Sequence, residues 1–151
     1  MTDGVTTRDR QHWMSILATA PSDELEARWR TTTLAPEYRT IRGPEVGLIM
    51  VRARAGGAGV RFNLGEMTIT RCTVQLASGT LGHAWVGGRR LRHAEIAAVL
   101  DALLQDPVRR TALRQEVVAP LEALAEASRQ ARAAKAAATR VEFFTMVRGE
   151  D

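Results

Sequence analysis

The residues best suited to chemistry lie in one short stretch, where arginines and a histidine follow a pair of glycines. Gly87-Gly88 is followed by Arg89 and Arg90, and His93 comes three residues later, where an apolar helical pattern begins. Backbone N–H groups at a helix N-terminus, with guanidinium groups beside them, favour an anion. Arg89, Arg90 and His93 are therefore the candidate residues for binding a phosphate.

The other reactive residue types do not combine into a recognisable catalytic or metal site. His93 and Glu95 are two residues apart, so on a helix they face different directions. Cys72 lies inside a predicted strand and is interpreted as a small buried side chain. His83, beside Trp85, is interpreted as part of a solvated or partner-covered sheet face. We predict no catalytic residue, no metal ligand set and no cofactor bound by this chain alone.

A β-hairpin over residues 67–86 must position this stretch. Residues 67–76 are rich in Thr, Val and Ile, as strands are, and Ser78-Gly79 is typical of a hairpin turn. Gly82 and Ala84 then share one face of the second strand. Their small side chains predict that a helix packs closely on that face.

Helices are predicted on both sides of this hairpin. The first covers residues 8–19, and Ser22 is expected to cap a second one. After the hairpin, Asp106-Pro107 indicates the start of a further helix. Pro120 is expected to end or kink that helix, and an Ala-rich helix follows to about residue 139.

The stretch between the N-terminal helices and the hairpin predicts further strands. A short strand near residues 38–41 is followed by a turn at Gly43-Pro44. The apolar run 46–51 is typical of a strand covered on both faces. The glycine-rich residues 55–59 indicate a hairpin connection, because no helix follows them as in a phosphate-binding loop.

Together these elements predict an α+β fold in a single domain over residues 1–151. Two short N-terminal helices lead into an antiparallel sheet of four or five strands, and C-terminal helices pack on the sheet. The segment 140–151 is a possible docking tail, because it is unusually apolar for a chain end. It either returns as an extra strand or docks on another subunit. The candidate interface residues in it are Phe143, Phe144, Met146 and Arg148.

The composition of the 151-residue chain predicts a cytoplasmic globular protein. Its single cysteine allows no internal disulfide, and no apolar run approaches the ~18 residues of a membrane span. The formal charge of +4 comes almost entirely from arginine. A basic nucleic-acid-binding module is one alternative, but the chain lacks the interleaved aromatic residues that such a module uses.

Nearly the whole chain resembles the PhnG family, the G subunit of the bacterial carbon–phosphorus lyase core complex. The order and joint presence of several short blocks carry this resemblance, although no single block is a general catalytic motif. The blocks are 10–15 (RQHWMS), 54–57 (RAGG) with Gly59, 61–62 (RF), 70–71 (TR), 79–82 (GTLG), 85–86 (WV), 88–89 (GR), 93–95 (HAE) and 143–149 (FFTMVRG).

The resemblance implies a role inside a multi-subunit assembly. That complex has ATP and a phosphonate as substrates, and it transfers the phosphonate to the ribose C1′ with release of adenine. The implied partners are the H, I and J subunits, with the I subunit in direct contact, and the isolated chain is expected to be able to self-associate. Under this hypothesis the chain is an essential accessory subunit. The alternative from the residues, that Arg89, Arg90 or His93 positions a phosphate, stays open.

Overall fold

The computed structural model describes residues 5–32 and 34–138 of the chain. Three antiparallel strands form one sheet in the order β1-β2-β3. The strands are β1 (Tyr38–Arg54), β2 (Arg61–Leu76) and β3 (Leu81–Gly87), and the helices are α1 (Thr7–Thr19), α2 (Ser22–Thr31), α3 (Leu91–Leu104), α4 (Pro107–Leu113) and α5 (Ala119–Ala138). The predicted α+β class is confirmed, but the sheet has three strands where four or five were expected.

The strand count differs because β1 is one long strand rather than two. The expected turn at Gly43-Pro44 is wrong: the chain passes through this dipeptide with register shifts between Thr40 and Arg42 and between Arg42 and Glu45. β1 is an edge strand, and an edge tolerates a proline because its missing N–H is not needed by a neighbouring strand. The local turn signal therefore produces a bulged edge instead of a chain reversal.

The predicted hairpin over residues 67–86 is confirmed. β2 ends at Leu76, and the turn closes through a hydrogen bond from Leu76 N to Thr80 O of 3.0 Å. Gly79 has φ +87°, a conformation that favours glycine. β3 then pairs with β2 in antiparallel register.

Gly82 explains how α3 approaches the sheet so closely. A Cβ at this position would overlap the carbonyl oxygen of Ala98 and lie 2.8 Å from the Cβ of Ala102. The prediction that small residues on this face admit a helix is therefore confirmed. α3 is the most buried element, and eleven of its fourteen residues are buried.

The N-terminal helices pack on the same core through Trp13, Leu17 and Leu25. They lie close to their predicted positions, with α1 beginning one residue earlier than expected. The expected capping by Ser22 is wrong, since Pro21 holds the cap position. Ser22 instead directs its hydroxyl at a ring nitrogen of His93, 3.0 Å away.

Pro120 was expected to end or kink the helix, and the regular helix α4 does end ahead of it, at Leu113. A π-helical turn over Arg114–Val118 joins α4 to α5, so the missing N–H of Pro120 falls next to a place where the hydrogen-bond spacing has already changed. α5 contributes Leu121 to the core, and every residue from 126 to 138 is exposed. The tail candidates Phe143, Phe144, Met146 and Arg148 lie outside the described residues. Across the described ranges, no helix is both long enough and apolar enough to cross a membrane.

Candidate functional site

The hairpin of β1 and β2 extends well beyond the part of the sheet that β3 covers. β3 pairs with β2 only from Ile69 to Gln75, whereas β1 and β2 stay paired as far as Arg54 and Arg61. We call residues 46–68 the arm. At about 3.3 Å per residue, each of its strands spans about 26 Å. No residue of the arm is fully buried, so the arm is a two-stranded ribbon outside the protein's own core.

The arm carries apolar side chains on both faces. Leu48 and Met50 lie on one face of β1, and Ile49 and Val51 lie on the other. Of the thirteen large apolar side chains exposed within the described ranges, seven belong to the arm: Val46, Leu48, Met50, Val60, Phe62, Leu64 and Met67. Exposed apolar surface of this extent marks an interaction site in a soluble protein. The run 46–51 was predicted to be covered on both faces, but the described residues leave Val46, Leu48 and Met50 exposed on one face and only half-bury Ile49 and Val51 on the other.

The tip of the arm is positively charged. Arg52, Arg54 and Arg61 are exposed, and within the described part of the chain no carboxylate lies at salt-bridge distance from any of them. Arg54 and Arg61 are direct partners across the ribbon, an arrangement in which like charges repel. A partner that supplied carboxylates here would relieve that repulsion.

The candidate arginines at the start of α3 border an open pocket of about 260 Å³. Arg92 is already paired with Glu95 at 2.9 Å. Arg89 and Arg90 are exposed, and in the described ranges neither guanidinium forms an ion pair. The pocket lining is Ser22, Glu26, Arg89, Arg90, Leu91, Arg92, His93 and Ile96. The structure thus brings the predicted arginines together at one opening, which they share with the carboxylate of Glu26.

His93 lies behind these arginines and is buried, with 4% of its surface exposed. Its Nε2 donates to the carbonyl oxygen of Leu17 at 2.8 Å, which leaves Nδ1 to accept from the Ser22 hydroxyl. Burial lowers the pKa of His93, with the nearby positive charge of Arg90 acting in the same direction and the bond to Leu17 opposing it. The neutral ring therefore joins α1, α2 and α3, and the protein itself engages both of its nitrogens.

A second polar cluster, which the sequence analysis did not single out, is centred on the buried Asp101. Its carboxylate accepts from Arg10 Nη2 at 2.7 Å and from Trp13 Nε1 at 2.9 Å. It also accepts from the backbone N–H of His83 at 2.9 Å. The sequence feature that could have revealed this cluster is the aspartate inside the otherwise apolar run of α3. The cluster ties α1, α3 and the outer edge of β3 together, so its role is structural.

The remaining candidates occupy ordinary structural positions. His83 lies on the sheet face opposite α3, with Nδ1 3.1 Å from the Thr73 hydroxyl. Trp85 is 53% exposed on that face, and Arg71 stacks over its ring. Cys72 is buried, as predicted, and burial raises the pKa of its thiol to about 11, so it stays protonated and unreactive at neutral pH.

These features define a class of protein: a small α+β subunit with a helix-covered base and a projecting apolar arm. We call the described residues outside 46–68 the base. In the described residues, no three His, Cys, Asp or Glu side chains are grouped to hold a metal ion. Among the described residues, the arm has the largest share of the exposed large apolar side chains, a feature typical of surfaces that contact another macromolecule.

Comparison with known proteins identifies the family. The family model described as "Phosphonate metabolism protein PhnG" matches residues 8–149, so the chain belongs to the PhnG family. A curated relative from Rhizobium meliloti (strain 1021) is 43% identical over 152 residues, covering 99% of this chain and 95% of the relative. That relative is named alpha-D-ribose 1-methylphosphonate 5-triphosphate synthase subunit PhnG. The resemblance noted from the sequence blocks is confirmed.

Proposed function

We propose that this chain is an essential accessory subunit of the carbon–phosphorus lyase core complex. The complex transfers a phosphonate to the ribose C1′ of ATP and releases adenine. The name of the relative from Rhizobium meliloti, a subunit of ribose 1-methylphosphonate 5-triphosphate synthase, supports this role. The observation that carries the proposal is the arm, where seven large apolar side chains are left exposed by the described residues.

The partners in this proposal are the H, I and J subunits, and the I subunit is the one that contacts the arm. The exposed part of α5, with the segment 140–151 that follows it, is a second docking surface. ATP and the phosphonate are substrates of the assembled complex, and this chain brings no cofactor of its own. Because ATP is the co-substrate and the only cysteine is a buried thiol, we assign the complex to the cytoplasm.

The test is reconstitution with and without this chain. Purified H, I and J subunits are mixed with ATP and methylphosphonate, and release of adenine is measured. We expect adenine release to be lost when the chain is omitted and to return when it is added back. Undiminished release without the chain would contradict the proposal.

A second candidate function is direct positioning of a phosphate by Arg89 and Arg90, with His93 behind them. The observation that favours it is the open pocket, where these two guanidinium groups have no ion partner among the described residues. Removing a donor that contacts a phosphoryl group in the transition state lowers turnover by about 10² or more. Arg89→Ala should then lower turnover while the complex remains intact by size-exclusion chromatography.

The matched control is Arg8→Ala, which removes an exposed arginine on α1, away from the pocket. Arg89→Lys separates charge from geometry, because lysine keeps the charge but cannot bind a phosphate in bidentate fashion. Equal turnover in wild type and Arg89→Ala would remove this candidate without affecting the accessory role.

A further inference from the structure

The free edge of β1 is protected along one half and open along the other. Proteins protect an edge strand with charges, prolines and bulges. The first half of β1 has all three: arginines at positions 39 and 42, the Gly43-Pro44 dipeptide and two register shifts. From Val46 to Met50 there is no charge, no proline and no shift. Such an edge is an aggregation hazard unless another strand pairs with it.

The register shows which backbone groups of this open half point outward. Thr68 O accepts from Gly88 N, so the polar groups of Thr68 face β3 rather than β1. Leu48 lies directly opposite Thr68. Leu48 and Thr68 therefore form a non-hydrogen-bonded pair of the antiparallel ladder, and in such a pair both residues direct their N–H and C=O groups away from each other. The N–H and C=O groups of Leu48, and by the two-residue repeat those of Val46 and Met50, therefore point away from β2 along the free edge.

We propose that this edge, Val46 to Met50, accepts a strand from the partner protein and so extends the sheet by one strand. This inference rests on the proposed function, which identifies the partner protein as a subunit of the complex. Strand addition to an exposed edge uses main-chain hydrogen bonds for affinity and side-chain contacts on alternate faces for specificity. Here Leu48 and Met50 provide apolar contacts on one face, and Ile49 does so on the other.

The partner strand carries carboxylates next to its apolar segment. The arm contains three arginines and one acidic residue, Glu66, which lies opposite Met50. All three arginines lie at the tip, just past the open edge. The chain as a whole carries +4, so a second copy would bring the same charge to the same place. Glu45, the acidic residue at the start of the arm, is already engaged by Arg71 at 2.7 Å. The surface is therefore complementary to an acidic partner and not to itself.

The experiment compares two substitutions at one position. Leu48→Ala removes the side chain but keeps the outward N–H, whereas Leu48→Pro removes both. Since that N–H is not part of the β1–β2 ladder, both variants should fold, as checked by circular dichroism and thermal melting. Binding to the purified H, I and J subunits is measured by titration. We expect Leu48→Pro to bind at least about tenfold more weakly than Leu48→Ala, because one or more edge hydrogen bonds are lost.

A second measurement holds even if the proline variant fails to fold. Amide hydrogen exchange of wild-type Leu48 and Met50 is compared between the free chain and the assembled complex. Outward amides exchange fast in the free chain and should slow by about tenfold or more once they donate to a partner strand.

At the tip, Arg52→Glu should weaken binding, most strongly at low salt, while Arg52→Lys should not.

Each alternative outcome has a distinct meaning. If wild type binds none of the three subunits, the proposed function itself fails. If wild type binds, but the two Leu48 variants bind equally and the amides keep their exchange rates, strand addition is overturned. If the chain alone dimerises and Leu48→Pro makes it monomeric, the occupant is a second copy. If the amides are already protected in the free chain and deletion of residues 139–151 releases them, the occupant is its own tail. Either of the last two results overturns the assignment to a partner.

Discussion

Strands β1 and β2 differ in burial between their two ends, the base and the arm. At the base, β2 alternates between Cys72 and Val74, buried under α3, and Thr73 on the half-buried opposite face. In the arm the alternation is lost: apolar residues occupy both faces and none is buried. The backbone ladder is continuous across both regions. The buried contacts that stabilise the fold are therefore concentrated in the base, whereas the arm leaves apolar side chains exposed to solvent.

The largest expected effect on folding is at Asp101, in the base. Asp101→Ala leaves Arg10 and the Trp13 N–H without their acceptor. Removing one partner of a fully buried ion pair costs about 3–5 kcal/mol, and because the Arg10 side chain is 30% exposed we expect a loss at the lower end, about 3 kcal/mol. The free energy of unfolding by urea measures this. Glu66→Ala, which removes an exposed carboxylate from the arm, is the control, with an expected change below about 0.5 kcal/mol. Equal losses in the two variants would refute the division into base and arm.

A smaller loss is expected from a single methyl group at the contact between sheet and helix. Gly82→Ala forces its Cβ against the backbone of α3, and overpacking of this kind costs about 1–3 kcal/mol. Gly65→Ala makes the same chemical change in the arm, where nothing lies within 4 Å of the added atom. Thermal melting should separate the two. A melting temperature for Gly82→Ala equal to that of Gly65→Ala would show that the approach of α3 is not tight.

A pH-dependent effect of intermediate size is expected from His93. Its pKa is lower in the folded chain than the ordinary value of 6.5, so below pH 6.5 the unfolded chain binds a proton that the folded chain does not. The free energy of unfolding should therefore fall as the pH drops below 6.5, by at most about 1.4 kcal/mol per pH unit. This group adds no slope above about pH 7.5.

The control for the histidine is His12→Asn, at an exposed position on α1. Urea unfolding at pH 7.5, 6.5 and 5.5 should show the acid-side loss in wild type and in His12→Asn, and a reduced loss in His93→Asn. A His93→Asn variant with the full wild-type slope would assign the effect to other groups.

The smallest expected effect on folding is in the arm itself. Met50 is 51% exposed, so Met50→Ser should change the free energy of unfolding by less than about 0.5 kcal/mol. The same substitution should weaken binding to the H, I and J subunits, because in the proposed function a partner subunit covers that surface. Val108→Ser, at a site that is 87% exposed on α4, is the matched control and should bind like wild type. Equal binding by Met50→Ser and Val108→Ser would remove the arm from the interface.

Local patterns predicted much of the base. Residues 67–86 were identified as a hairpin because strand-rich runs flank a Ser-Gly turn, and the contact of α3 with Gly82 followed from the small side chains on one face. The Asp106-Pro107 helix start is also confirmed, since Asp106 accepts from Val108 N at 2.9 Å. These features depend on neighbours close in sequence.

The wrong predictions involve signals whose meaning depends on distant residues. Gly43-Pro44 has the composition of a turn, but at a sheet edge it becomes a bulge. Ser22 has the composition of an N-cap, but its hydroxyl bonds to His93, 71 residues away. Asp101 gave no recognisable motif, because its partner Arg10 is 91 residues away. The Arg89, Arg90 and His93 group stays a prediction as a phosphate site.

The sequence by itself determined the α+β class, the hairpin, the family and the apolar character of residues 46–51. It did so because periodicity, turn residues and motif order are properties of the chain. Only the tertiary structure decided that this apolar segment projects from the core as an arm with one free edge. Coverage depends on where β3 ends and where the helices lie, and no local pattern specifies that. The same apolar run would be core in one arrangement and interface in another.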